Sequence, residues 1–281
     1  MNLSDANTLK SLLNKHGFSF KKSLGQNFLI DSTVCPAMAK ASCDKNTGVL
    51  EIGPGIGVLT AELSKEAKKV VAIELDERLK KLLPITLQGC DNVEIIYGDA
   101  MKLNLFEIIK EHFGDCEKVA VCANLPYYIT SPIVMMLLES KLPIESITVM
   151  VQKEAAERLC AKVGTRAAGA VTAAVTYYSE PEILFDVDRT SFMPSPNVDS
   201  AVIKLKIREN PPISLKNEKT FFKLVKAAFA QRRKTFLNTV SNTLGTDKNT
   251  LKAILEKCSI ETTIRGEQLS IEQLAEISNN L

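Results

Sequence analysis

No C-x-x-C pair occurs among the seven cysteines, at 35, 43, 90, 116, 122, 160 and 258. An odd number of thiols without that spacing argues against both a disulfide framework and a thiolate zinc site. The two histidines, His16 and His112, have no partner at ligand spacing. The expectation is a reducing compartment and no metal. Also missing are an apolar signal core in the first ten residues and any run near the roughly 20 apolar residues needed to span a bilayer. Those absences point to the cytoplasm and to no membrane partner. An excess of one charge is lacking too: 35 basic against 33 acidic residues leave +2. Any nucleic-acid signal must therefore come from where the charge sits.

What is present is alternation. Short β-branched runs at 49–52, 70–73, 93–96, 119–122 and 147–151 are separated by helical patterns such as 59–68 and 75–87. That spacing indicates βαβ units and a mostly parallel sheet, an α/β fold. Two further strand candidates, 181–187 and 201–207, follow a helical stretch at 167–178 and suit an antiparallel edge. Near the start, Ser4-Asp5-Ala6-Asn7 can cap a helix carrying Leu9, Leu12 and Leu13. Asn210-Pro211-Pro212 is the clear linker, and helical patterns follow it. In those patterns Phe222, Val225, Phe229, Phe236 and Val240 share a face.

Glu51-Ile-Gly-Pro-Gly-Ile-Gly57 follows the first strand, where ligands bind in open α/β sheets. Gly53, Gly55 and Gly57 permit a tight turn and close backbone approach. A dinucleotide fingerprint needs glycine at 58 or 60, but these are Val58 and Thr60, and no G-K-[ST] completes a P-loop. Glu51 would repel phosphate and favour a cation or an amine. S-adenosylmethionine, a sulfonium with an ammonium group and no phosphate, fits this loop. Glu74 ends the second strand, placed to accept from ribose hydroxyls, and Asp99 follows the third, placed to accept the adenine amine. The competing reading is a glycine turn with solvated carboxylates.

Asn124-Leu125-Pro126-Tyr127 stands where the fourth strand should end. An exocyclic adenine amine is a poor nucleophile because its lone pair is delocalised into the ring. Two acceptors on its hydrogens, the Asn124 side-chain oxygen and the Leu125 carbonyl, would free that pair for in-line attack. Pro126 biases residue 125 away from helical angles, and Tyr127 offers a stacking face for an extruded base. Phe192 is the candidate second wall. In isolation the same four residues read as an ordinary turn.

These motifs, with Ser23-Leu-Gly-Gln-Asn-Phe-Leu29, Val151-Gln-Lys-Glu154, the run 192–202 (FMPSPNVDSAV) and Ala228-Phe-Ala-Gln-Arg-Arg-Lys234, resemble the KsgA-type small-subunit rRNA adenine dimethyltransferases over nearly the full length. The resemblance implies a Rossmann-like class I methyltransferase domain over 1–208 and a small helical RNA-binding domain over 213–281. It implies dimethylation of two adjacent adenosines in a hairpin near the 3′ end of 16S rRNA, within the small ribosomal subunit or its precursor; a monomer is the expectation. It adds Asn27 and Leu29 to the cofactor site. Tyr128 departs from it, since asparagine is frequent at that place in relatives.

Charge is uneven along the chain. Residues 7–30 carry Lys10, Lys15, Lys21 and Lys22 without an acid, and 216–234 hold seven basic residues against Glu218. Lys219, Lys223, Lys226 and Arg233 fall near one helical stripe, and with Arg232 and Lys234 they are the candidate RNA contacts. The loop 162–166 is a further one. A solvated amphipathic face is the alternative. The rival functions are a large-subunit rRNA adenine methyltransferase of the macrolide-resistance type, a non-catalytic ribosome-assembly factor, and a nicotinamide dehydrogenase.

Overall fold

The β-branched runs pair as expected. In the computed structural model, which describes residues 3, 5–18 and 27–281, they become β1 (Phe28–Leu29), β2 (Thr47–Ile52), β3 (Lys69–Glu74), β4 (Val93–Tyr97), β5 (Lys118–Asn124), β6 (Ser146–Gln152), β7 (Ser179–Val187), β8 (Phe192–Met193) and β9 (Ser200–Ile207). Ser4, Lys21, Lys22 and residues 23–26 of the N-terminal motif lie outside the described residues. Seven strands form one sheet in the order β4-β3-β2-β5-β6-β9-β7, and β1 pairs separately with β8. Strands β2 to β6 run parallel; β9 is antiparallel to β6. Buried on both faces, β2 and β5 need continuous apolar runs rather than alternation. Pro181 is tolerated because β7 is the sheet's last strand.

Around this sheet lie α1 (Ala6–Lys15), α2 (Val34–Ser42), α3 (Val58–Glu66), α4 (Leu83–Thr86), α5 (Leu105–His112) and α6 (Thr130–Glu139), and α7 (Lys153–Leu159) follows β6. Asp5 caps α1, its carboxylate accepting from the Thr8 N–H at 2.7 Å. Leu9, Leu12 and Leu13 pack with Phe28, Ile56, Leu79, Leu82 and Leu83, so α1 braces the glycine loop from below. The segment 75–87 is not one helix. It forms a 3-10 turn, Glu77–Lys81, and then the four-residue α4. Pro84 belongs to the first turn of α4, where no N–H is missed; inside a continuous helix it would have removed a hydrogen bond.

The chain divides into two compact units, Met1–Ala156 with Glu182–Ile207, and Glu157–Pro181 with Arg208–Leu281. The expected boundary at 208–213 matches one crossing only. Residues 157–181 belong to the helical unit because α8 (Ala170–Tyr178) contributes Ala173 and Tyr177 to that unit's core. There they meet Phe221, Leu224 and Val225 of α9 (Glu218–Ala228), Phe236 and Val240 of α10 (Phe236–Leu244), α11 (Lys248–Lys257) and α12 (Ile271–Asn279). No described helix is long and apolar enough to cross a membrane.

Candidate active site

Strand order reverses beside β2, whose neighbours are β3 and β5. The carboxyl ends of β2 and β5 therefore diverge into a crevice, the place where open α/β sheets bind ligands. The cavity there measures about 1250 Å3 with its open mouth included. Its lining includes Asn27, Leu29, Gly53, Gly55, Glu74, Asp99, Asn124, Leu125, Pro126, Tyr127 and Phe192, so one space gathers these predicted residues. Gly57 does not line it. With φ at +88° it caps α3, and a Cβ there would lie 2.8 Å from the Leu87 side chain. Turn geometry and the packing of Leu87 are what require glycine at 57.

The electrostatics of the lining are one-sided. Glu51, Glu74 and Asp99 face the cavity, and the described residues around it include no Lys, Arg or His. Glu51 is fully buried, and among the described residues its Oε2 finds no hydrogen-bond partner. Burial, with a smaller push from Glu74, raises its pKa to about 8. Glu74 is buried too. Its Oε2 accepts from the Gly55 N–H at 3.1 Å and its Oε1 from the Asp76 N–H at 2.6 Å, so this carboxylate pins the glycine loop. Burial moves its pKa upward as well. Each oxygen keeps lone-pair capacity for a further donor. Asp99 Oδ1 accepts from the Met101 N–H at 3.0 Å, and Lys102 stands 3.4 Å from Oδ2. Gly53 and Gly55, with φ of +72° and +57°, bring bare backbone to the cavity edge.

Such a lining rejects phosphate and suits a nucleoside with a cationic tail. The hydroxyls and the amine of the nucleoside are donors that Glu74 and Asp99 can accept. A positive group would satisfy the orphaned Glu51 oxygen.

On the other wall, β5 ends at Asn124. No described residue hydrogen-bonds the Asn124 side chain or donates to the Leu125 carbonyl, whereas the Leu125 N–H is fixed on the Met150 carbonyl at 3.2 Å. Tyr127 opens a 3-10 turn, Tyr127–Ile129; half-buried, it shares a 2.7 Å hydrogen bond between its hydroxyl and Ser200 Oγ. Phe192 is buried, paired in β8 against Leu29 of β1, and packs into the core beneath the cavity. It is floor more than free wall. Sequence reasoning missed Leu75 and Met101, which follow Glu74 and Asp99 and line the mouth, as well as Cys35 and Met38 of α2. Position just after an acidic strand end was the available signal for the first two. Ser200 carried no signal beyond its place in a matching segment.

In the helical unit Lys219, Lys223 and Lys226 are exposed along α9, which Asn217 caps. Arg233 does not continue their stripe. The helix ends at Ala228, and Arg232, Arg233 and Lys234 are exposed in the turn before α10. Arg232 donates to the Ala168 carbonyl at 3.1 Å and lines a recess with Arg158 and Lys226 at the start of α8.

Parallel strands in this order, an inserted antiparallel β9 and an acid-lined glycine loop at the crevice define a Rossmann-like class I methyltransferase. Residues 17–281 match the family model described as ribosomal RNA adenine dimethylase, and the chain belongs to that family. Among its relatives, "Ribosomal RNA small subunit methyltransferase A" of Bacillus pumilus is 50% identical, covering 97% of this chain and 94% of the relative. The protein of the same name from Geobacillus thermodenitrificans is 49% identical with the same coverage. Of solved structures, a dimethyladenosine transferase from Plasmodium falciparum superposes with a TM-score of 0.73 at 27% identity, over 89% of this chain and 95% of that one. The 23S rRNA methyltransferase ErmE follows with 0.68 at 26%, over 91% and 99%.

Proposed function

We propose that this enzyme dimethylates N6 of two adjacent adenosines in a hairpin near the 3′ end of 16S rRNA, using S-adenosylmethionine. It acts in the cytoplasm, as a monomer, on the small ribosomal subunit or its precursor. The observation that carries the reading is the pairing, in one cavity, of an acid-lined nucleoside site with two internally unpartnered acceptors, Asn124 and the Leu125 carbonyl. When bound, S-adenosylmethionine supplies a sulfonium methyl, which N6 takes while the electron pair stays on sulfur and one N6 proton leaves to solvent.

Asn124 and Leu125 accept the N6 hydrogens and turn the lone pair out of the ring plane. Glu74 holds the ribose end, Asp99 the adenine end and Glu51 the ammonium. Asn27, Leu29, Gly53 and Gly55 complete that enclosure. Tyr127 stacks on the target base, its ring angle set by Ser200. Lys219, Lys223 and Lys226, with Arg232, Arg233 and Lys234, grip RNA phosphates.

Incubation with labelled S-adenosylmethionine and separated, unmethylated subunits tests the proposal. Label in small-subunit rRNA, lost with Asn124→Ala, is the expected result. Label confined to large subunits would favour the ErmE-like reading, and label in neither would remove the catalytic one.

A further inference from the structure

Among the described residues four aromatics line the cavity, and their exposure separates them. Phe28 and Phe192 are 7% and 4% exposed and committed to the core. Tyr127 is half-buried and tethered by its hydroxyl to Ser200. Tyr128 is 59% exposed, and its ring and hydroxyl have no partner among the described residues. It stands at the mouth with Leu75 and Met101, 53% and 44% exposed, so the rim is apolar while the interior is acidic. An aromatic ring left in water beside other apolar groups marks a surface that something covers.

The backbone decides what Tyr128 can reach. Tyr127 and Tyr128 are successive residues of one 3-10 turn, which starts three residues after Asn124. About three residues per turn rotate consecutive side chains by roughly 120°, so the two rings cannot face the same base. If Tyr127 stacks on the adenine whose N6 meets Asn124 and Leu125, Tyr128 meets what remains at the entrance. Extruding a base breaks its stack with the next nucleotide and leaves that neighbour's face bare. An exposed aromatic at the rim replaces the lost stack regardless of sequence.

We propose that Tyr128 stacks on the nucleotide flanking the target adenosine, holding the strand open at the cavity mouth as an RNA-stacking residue. This rests on the methyl-transfer reading above and names a second base contact for the same site.

Steady-state kinetics of the full chain on unmethylated small ribosomal subunits test it, with Tyr128→Leu and Tyr128→Phe beside the wild type. Leucine keeps apolar bulk without a ring, and phenylalanine keeps the ring without the hydroxyl. The expected result is a rise of about 5- to 150-fold in KM for the subunit with Tyr128→Leu, matching a stacking loss of about 1–3 kcal/mol. Tyr128→Phe should stay near wild type, and KM for S-adenosylmethionine and the thermal midpoint should not move in either. An unchanged subunit KM in Tyr128→Leu overturns the stacking role, as does an equal loss in Tyr128→Phe. If the wild type itself transfers no methyl group to these subunits, the functional reading has failed and this inference goes with it. Wild-type transfer with an indifferent Tyr128→Leu removes this inference alone.

Discussion

The sheet unit and the helical unit use charge in opposite ways. In the sheet unit the candidate carboxylates are drawn inward: Glu51 is buried with an oxygen that no described residue hydrogen-bonds, and Glu74 is buried and tied to the glycine loop. In the helical unit Lys219, Lys223, Lys226, Arg233 and Lys234 stand exposed on α9 and the turn after it. A buried group forfeits its hydration, so each inward contact is worth much and tolerates little error. An exposed cation works through a screened field and can be replaced by its neighbours. Under the proposed function the sheet unit makes a few exacting contacts and the helical unit many interchangeable ones.

The sharpest test of that contrast is Asn124→Ala. Loss of one acceptor should lower kcat by at least about 100- to 1000-fold while the thermal midpoint stays put, as such groups do elsewhere. A loss of that size from any single lysine of α9 would break the comparison. Next comes the triple substitution of Lys223, Lys226 and Arg233 by alanine. The slope of log affinity for rRNA against log salt should shallow by roughly 2–3, about one per phosphate contact. An unchanged slope returns those residues to a solvated face.

The third prediction concerns pH. The folded pKa of Glu51, about 8, exceeds its ordinary 4.5. Its stabilising contribution is therefore complete below about pH 4.5 and is lost progressively as pH rises to about 8. Urea denaturation of ligand-free Glu51→Gln should show a flatter profile across that window than the wild type. S-adenosylmethionine should favour the ionised carboxyl, so calorimetry at pH 7 in two buffers should detect a released proton. Equal observed heats in two buffers of different ionisation enthalpy would detach Glu51 from the ammonium. The smallest effect belongs to Ser200→Ala, which frees the Tyr127 hydroxyl: a few-fold loss in kcat, about 1 kcal/mol, with KM for the methyl donor unchanged.

Much of this was readable beforehand because it is local. All seven main-sheet strands, the Glu51–Gly57 loop, Glu74, Asp99 and Asn124 announce themselves through β-branched runs and what ends them. Other features depend on partners distant in sequence. The apolar period of 75–87 resembles a helix until Pro84 is weighed. Arg233 joins the lysine stripe only if α9 continues, and it stops at Ala228. Spacing alone does not show that Phe192 lies on a strand paired with β1, or that Gly57 packs against Leu87. Tyr127 shows its aromatic ring in the sequence, but not that Ser200, 73 residues away, fixes it.

The path of the backbone through Glu157–Pro181 has a practical corollary. A single cut near 208 would strand α8 with the wrong partner, leaving Ala173 and Tyr177 without their packing and Phe221 without the Tyr177 ring. The helical unit is therefore not a detachable cassette. Any chimaera that borrows it from a relative must graft two stretches together, and an expressed 213–281 fragment should be poorly folded.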